Sequence, residues 1–382
     1  MIKNYLKTAW RNLVQNRSTS IISVAGLAVG ICCFLLLATY LINELRYDRF
    51  HAKADRIVRM VFSYQSADDK EPRNTAMTQT APLPLFKQQF SEIEGGVRIF
   101  GYDNERGAAV QYSNKLFSEK KMLLADDGFF DIFSFKFLSG SATKALSDPS
   151  SVVLSASTAK KYFGDEAPVG KVLKVNQKDL MVTGVIEDVP AYSQMKFDMI
   201  ASSAISTRSK ELRWDAANNY SYFLLKPEAS YKAVEGKINA YFNNLFKSEN
   251  NRGGKAWYTL EPLADVHLKS NFQGGLEPSG NIKYIYILGS VAVILLLLAC
   301  VNFLNLVTAR SAERAREIGV RKVMGARRGQ LFFQFITEAG IITMFSIGLG
   351  LLLLKLCFPW FSNFTGQQLA LIPGILHGWP VH

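Results

Sequence analysis

The 382-residue chain is 48% hydrophobic and carries 44 Lys+Arg against 32 Asp+Glu, a formal net charge of +12. Its mean hydropathy of +0.06 would suit a soluble protein only if the apolar residues were spread evenly, and they are not. The four cysteines (Cys32, Cys33, Cys300 and Cys357) all lie in or beside apolar stretches. That placement excludes a disulfide scaffold and a cysteine zinc site, and they read as small hydrophobes.

Residues 1–20 hold Lys3, Lys7, Arg11 and Arg17 and no acid. Ile2, Leu6, Trp10 and Leu13 share one helical face beside Tyr5 and Ala9, with the cations on its flank. The pattern predicts a cytoplasmic amphipathic helix lying on the inner leaflet. Residues 21–42 (IISVAGLAVGICCFLLLATYLI) are 22 uncharged residues. At about 1.5 Å per residue they cross a hydrocarbon core of roughly 30 Å. The run is too long for a signal-peptide core and has no small-residue cleavage site before Glu44.

Residues 43–284 form an inserted segment of 242 residues, long enough for its own core. Residues 56–64 (RIVRMVFSY) alternate as a strand, and 85–90 suit a short helix behind Pro82 and Pro84. Residues 97–102, 121–125 and 152–154 read as strands, and 156–163 as a helix ending at Gly164. Residues 171–175 and 180–186 predict a two-stranded unit, and 220–225 a further strand. A longer helix is expected over 231–246, with Val234, Ile238, Tyr241 and Leu245 as its apolar face. The segments 248–255 (SENNRGGK) and 272–280 (FQGGLEPSG) read as loops; the second leads straight to the next span, so domain and membrane helix need not move as one body.

Residues 285–307 are a second uncharged run of 23, and residues 339–360 a weaker third with one lysine near the outer end. Between them, residues 310–330 hold seven Lys/Arg against Glu313 and Glu317, so this stretch and residues 1–20 carry nine of the twelve excess positive charges. The positive-inside rule places both in the cytoplasm, with 43–284 and the tail 361–382 outside. A nucleic-acid partner is excluded on the same ground, because the basic residues hug the spans. The expected fold is an α-helical membrane protein with a large inserted α+β extracytoplasmic domain of two lobes.

Little chemistry is encoded. Asp126 and Asp127 are adjacent and read as a cap or turn, and His51, His267, His377 and His382 have no metal-ligand spacing. Ser155 and Ser157 lie in no nucleophile elbow. Residues 164–172 (GDEAPVGKV) mimic a phosphate loop with the wrong spacing, and Val172 stands where a hydroxyl should hold magnesium. No cofactor, metal or catalytic residue is expected. Within the spans the polar groups are Asn302 and Asn305, read as helix-contact groups, and Glu338 lies near the inner end of the third.

The most specific stretch is 308–334 (TARSAERAREIGVRKVMGARRGQLFFQ). It predicts a basic helix continuing from the second span, with Glu313–Arg316 or Glu317–Arg321 pairs and a short apolar face of Ile318, Val320, Val323 and Met324 ended by Gly325. Composition alone leaves an interfacial helix and a partner-docking helix equally open. The core EIGVRKVMGA, the opening residues 10–12 with GLAVG (26–30), and ELRYDRFH (44–51) together resemble the FtsX/MacB-type permease subunits of ABC transporters, in the large form found in Bacteroidota-like bacteria.

The resemblance implies a MacB-like periplasmic core over 43–284 and an FtsX-like permease region over the rest. It implies spans at 21–42, 285–307 and 331–360 (the last with its cytoplasmic lead-in), and a cytoplasmic coupling loop at 308–330. It further implies that Arg314, Glu317, Ile318, Arg321, Lys322 and Gly325 contact an ABC ATPase dimer at the cytoplasmic face of the inner membrane. A second permease subunit or half, a periplasmic adaptor and an outer-membrane channel are the other implied partners beside the lipid. The family's unit has four spans, and residues 369–376, interrupted by Pro373 and Gly374, are too few to supply the fourth; the chain is therefore expected to be incomplete. Export or envelope-substrate handling is the leading expectation. A non-transporting regulator of an envelope hydrolase is the alternative, and a membrane sensor, for which the 310–330 loop leaves no output domain, comes last.

Overall fold

A computed structural model describes residues 11, 17–102, 107–247, 254–309, 315, 319–320, 322–324, 328–366 and 369. The amphipathic helix expected over 1–20 therefore lies outside the described residues up to residue 16, apart from residue 11. Two compact bodies form, one from Met1–Leu45 with Lys283–His382 and the other from Arg46–Ile282. Among the described residues seven helices exceed a single turn or two: α1 (Arg17–Leu45), α2 (Pro82–Gln89), α3 (Ala156–Phe163), α4 (Tyr231–Leu245), α5 (Leu263–Lys269), α6 (Ile282–Ala309) and α7 (Arg328–Thr365).

Three of these, α1, α6 and α7, are long and apolar enough to cross a membrane, over Ser20–Leu45, Ile282–Asn305 and Phe332–Thr365. Each overruns the bounds expected from hydropathy, because hydrogen bonding continues past the last apolar residue. Their packing rests on missing side chains. A Cβ placed on Gly30 of α1 would stand 2.3 Å from the Cβ of Ala299 on α6, and one on Gly26 would stand 2.7 Å from Asn302 Nδ2. Further along, Gly289 of α6 faces Leu41 of α1, so the two helices run antiparallel. On another side of α1, a Cβ at Gly350 of α7 would meet the Ala28 carbonyl oxygen at 3.1 Å. Between apolar helices in lipid there is no hydrophobic drive to associate. Close backbone approach at small residues supplies the contact instead.

The second body is built on a 13-stranded sheet. Its strands are β1 (Ile57–Gln65), β2 (Arg73–Thr75), β3 (Ile93–Gly101), β4 (Ala108–Tyr112), β5 (Lys115–Glu119), β6 (Met122–Ala125), β7 (Phe137–Gly140), β8 (Ser151–Ser155), β9 (Val172–Val175), β10 (Lys178–Ile186), β11 (Met199–Ser202), β12 (Tyr220–Leu225) and β13 (Lys255–Pro262). The spatial order is β13-β1-β12-β3-β6-β11-β8-β10-β9-β4-β5, with β2 on β1 and β7 on β10. Only β10–β8 and β11–β6 are parallel. Central strands such as β8 and β12 are buried at every position, because helices and loops cover both faces.

Each end of this sheet carries its own core. One gathers Val58, Met60, Phe86, Val234, Ile238, Phe242 and Tyr258 from β1, β13, α2 and α4. The other gathers Val110, Leu124, Ala159, Tyr162, Leu173 and Val182 around α3. A third, rich in Phe129, Phe133, Phe135, Phe197 and Tyr222, fills the middle. Each such side chain contributes roughly 1.5–3 kcal/mol when fully buried.

Local rules explain where the elements start and stop. Pro82 and Pro84 lie inside the first turn of α2 rather than ahead of it, since a first-turn residue needs no amide hydrogen. Ser155 caps α3 by accepting from Thr158 N, and Gly164 ends it at φ 64°. The phosphate-loop mimic is a turn in which Lys171 pairs with Glu166 before β9 opens at Val172. Asn176 and Gln177, at φ 43° and 69°, make the hairpin between β9 and β10. On α4 the buried stripe is Val234, Ile238 and Phe242, a strict i, i+4, i+8 row; Leu245, expected inside, is 48% exposed.

That helix also closes the outer edge of the sheet. Asn239 accepts from Tyr258 N and donates to Tyr258 O, both at 2.8 Å, and Glu235 accepts from Leu260 N at 2.7 Å. Side chains thus occupy the ladder positions a further strand would use.

The helix packing predicts that Gly30→Ala destabilises the helical body by about 1–3 kcal/mol, read as a lower thermal-unfolding midpoint of the purified protein. Gly340→Ala on α7, where an added Cβ meets nothing within 4 Å, should leave that midpoint unchanged.

Candidate functional site

The residues assigned to ATPase coupling fall mostly outside the described residues: Arg314, Glu317, Ile318, Arg321 and Gly325 are all in this group. Lys322 is helical and exposed, beside Val323 and Met324, which are 90% and 81% exposed. Of the polar groups in the spans, Asn302 lies against Gly26 of α1. Asn305 is exposed on α6, and Glu338 is buried on α7. Asp126, read as a turn residue, clamps Arg98 by a two-pronged ion pair (2.8 and 3.2 Å) and accepts from Ser203 Oγ at 2.6 Å. It joins β3 to the end of β11.

A more elaborate constellation lies where the chain comes into the mixed domain from α1. Arg46, the residue after α1, stacks its guanidinium over Tyr192. Tyr47 stacks on His267 of α5, with ring centroids 3.5 Å apart and planes 5° from parallel. Asp48 is fully buried and takes up a left-handed φ of 55°, a conformation aspartate tolerates better than most residues. Its amide donates to Tyr192 O, while its Oδ1 accepts from Ser193 Oγ at 3.2 Å and Gln194 N at 3.0 Å. His51 is buried against Phe50, Phe133 and Phe135. Its Nδ1 accepts from Ser134 N at 3.1 Å, which fixes the tautomer with the proton on Nε2.

The chain leaving the domain for α6 is fastened to the same region. Arg59, at the centre of β1, is only 2% exposed and bonds Glu261 Oε2 at 2.6 Å and Ser270 Oγ at 2.9 Å. Gln273 accepts from Ala76 N at 2.8 Å, and Gly274 O accepts from Tyr220 Oη at 2.9 Å. Lys196 pairs with Glu277 at 3.1 Å, and Phe272 and Leu276 pack on the central core. The 272–280 segment is the loop its composition predicts, and over 272–277 it is held at several points by partners too distant in sequence to foresee.

Arg59 also acts on Asp48 through space, favouring its ionised form. Burial outweighs that charge and the bonds from Gln194 and Ser193, and pushes the Asp48 carboxyl up to about 7. Burial drives His51 the other way, to about 4, and raises the Tyr222 hydroxyl. Among the described residues Asp48 Oδ2, His51 Nε2, Gln194 Nε2 and Tyr222 Oη have no hydrogen-bond partner. Both connections to the membrane helices thus end in a buried, polar region of the mixed domain. It has no catalytic geometry, and no group of three metal-ligating side chains occurs among the described residues.

Comparison with known proteins gives this arrangement its context. Residues 20–241 match the family described as MacB-like periplasmic core domain, and residues 289–381 match FtsX-like permease C-terminal. The chain is 23% identical over 359 residues to the pyoverdine export ATP-binding/permease protein PvdT of Pseudomonas aeruginosa, covering 92% of this chain and 50% of that protein. It is 22% identical over 374 residues to the uncharacterized ABC transporter permease YvrN of Bacillus subtilis, covering 93% and 88%. The chain spans about half the length of the export ATP-binding/permease relative. Among solved structures it resembles a permease-protein domain from Porphyromonas gingivalis at 21% identity and a TM-score of 0.48, covering 56% of this chain and 91% of that one.

The two buried titrating groups oppose each other. Asp48, moved from 3.8 to about 7, keeps its proton in the fold while the unfolded chain loses it. Its contribution is complete below the unfolded value and is lost as pH rises to about 7. His51, moved from 6.5 to about 4, stays neutral in the fold while the unfolded chain takes up a proton. Its contribution is complete above the unfolded value and is lost as pH falls to about 4. In the parent protein the two slopes largely offset between these limits. Asp48→Asn should unmask a stability loss of roughly 3 kcal/mol on acidification from neutral pH to pH 4.5, and His51→Gln a comparable gain. Urea unfolding followed by tryptophan fluorescence at the two pH values reads this; unaltered profiles in both variants would contradict it.

Proposed function

The chain belongs to the MacB/FtsX-type permease family, the permease components of ABC-type transporters, and from that premise we propose that it converts ATP hydrolysis by a separate ATPase into motion of its inserted domain. The observation that carries this reading is the common fastening of the two connections. Tyr47, Asp48 and His51 follow closely on α1, residues 278–281 separate the 270–277 segment from α6, and both segments are held within the mixed domain. A displacement of either helix is then delivered to packed core. Such a link transmits force because packed interiors shift between discrete arrangements rather than deforming softly.

In this reading the N-terminus is cytoplasmic, the mixed domain is periplasmic and the protein lies in the inner membrane, an orientation supported by the Lys/Arg excess in residues 1–20 and 310–330. Arg314, Glu317, Ile318, Arg321, Lys322 and Gly325 meet an ATPase dimer, which supplies all the hydrolytic chemistry. A second permease subunit or half completes the membrane unit. A periplasmic adaptor and an outer-membrane channel complete an export path, the role in the name of the pyoverdine-export relative. Asn302 and Asn305 act in helix contacts, and Glu338 as a snorkelling or locally paired acid, rather than on a transported molecule.

Coupling of this kind requires that the ATPase contact the permease differently in its two nucleotide states. With the partner ATPase in lipid vesicles, Glu317→Lys and Gly325→Trp should insert normally yet abolish permease-stimulated ATP turnover. Stimulation equal to that of the parent protein in both variants would refute the assignment of this loop.

A further inference from the structure

The mixed domain holds a second constellation, unused by the coupling reading. Its floor follows from strand register. Phe62 of β1 lies opposite Thr75 of β2 and Tyr258 of β13, and Tyr64 lies opposite Arg73 and Ala256. Because side chains alternate along a strand, these two rows occupy one face of a three-stranded patch. Facing it are Phe242 and Phe246, at the end of α4, and Trp214 from the segment before β12. Between floor and wall runs a cleft of about 790 Å³, within the range of roughly 300–1,000 Å³ in which small-molecule sites fall.

The cleft is aromatic and rigidly held. Trp214 lies 5.0 Å from Phe246 and 5.9 Å from Phe242, and Tyr258 lies 5.0 Å from Phe242 and 5.3 Å from Phe62, centroid to centroid. Tyr258 is pinned at both ends, by Asn239 on its backbone and by a 2.8 Å bond from its hydroxyl to the buried Gln79. Yet Phe62, Trp214 and Phe246 stay only half-buried and Tyr64 is 42% exposed. Solvent-facing rings gathered in a concave site mark a place that a ligand covers.

The mouth supplies the charge preference. Arg73 is largely exposed and has only a loose contact with Asp69 at 3.6 Å, worth little in solvent. The acid at the mouth, Asp215, is occupied by a two-pronged pair with Arg213 at 2.9 and 2.6 Å. Arg73 is thus left available at the mouth, above a face that carries rings.

We propose that this cleft binds an amphipathic organic anion, its aromatic or flat apolar body stacked between Phe62, Trp214 and Phe246 and its carboxylate met by Arg73. Neither the family matches nor the coupling scheme assigns this site, and it stands independently of whether an ATPase drives the chain.

The test uses the full chain in lipid nanodiscs, with 2-naphthoate as probe and uncharged 2-naphthylmethanol as its comparison, titrated calorimetrically against empty nanodiscs. Saturable 2-naphthoate binding is expected, about tenfold tighter than that of the alcohol. Arg73→Glu should weaken the acid by about tenfold or more and leave the alcohol unchanged, while Phe246→Ala should weaken both. Arg73→Gln, a milder change on an exposed side chain, should give an intermediate loss with an unaltered unfolding midpoint. Absence of saturable binding, equal affinity for acid and alcohol, or indifference of the acid to both charge variants would each overturn the proposal.

Discussion

A guanidinium that is 2% exposed must find its hydrogen-bond partners inside the protein, and those of Arg59 organise the domain around it. Glu261 on the neighbouring strand β13 takes two of its N–H groups and Ser270 a third. Removing one member of such a pair leaves a buried charge without compensation, which costs about 3–5 kcal/mol. The charge of Arg59 also reaches Asp48, Tyr220 and Tyr222. Asp48 then fixes the Tyr192–Gln194 turn, and Tyr220 holds the Gly274 carbonyl. Arg59 thereby ties β1 to β13 and to the segment that leads out of the domain.

That constraint gives the domain its mechanical character. A long insertion between two membrane helices would ordinarily hang on flexible tethers, and motion of a helix would be dissipated in them. Here Arg46 follows Leu45 of α1 directly and is already stacked on Tyr192, and the residues before α6 are bonded to β2, β12 and the central core. Within the helical body, the contacts of Gly26 and Gly30 with α6 and of Gly350 with α1 bring the three helices to backbone distance.

The parts of this arrangement legible in the sequence are those governed by local patterning. Long apolar runs announced the three membrane helices, alternation announced β1, and the helix expected to end at Gly164 is α3. The strands β2, β4, β5, β7 and β11 are short and are held by their neighbours rather than by their own apolar pattern, and β13 hides behind a polar glycine-rich lead-in. On α4, Phe242 rather than Leu245 turned inward because the buried row follows i, i+4, i+8 strictly. The fastening network was the least visible. Asp48, His51 and Arg59 look like ordinary surface residues in one dimension, and their partners lie as far as 211 residues away. The G-x-x-x-G spacing of Gly26 and Gly30 could be read, but not that Ala299 and Asn302 would meet it. The stretch 308–334 shows the converse: its motif is specific, yet the role of Glu317 or Gly325 depends on a surface belonging to another protein.

The account stands or falls on whether the two connections are part of the packed domain. Hydrogen exchange of the full chain in nanodiscs, followed by mass spectrometry, measures this directly, because amides open at rates set by local stability. Segments 46–51 and 270–277 should exchange as slowly as β1 and β12. In Arg59→Met they should loosen together while β8 and α3 keep their protection. Exchange of either segment at loop rates in the parent protein, or loosening of only one of them in the variant, would contradict a shared fastening.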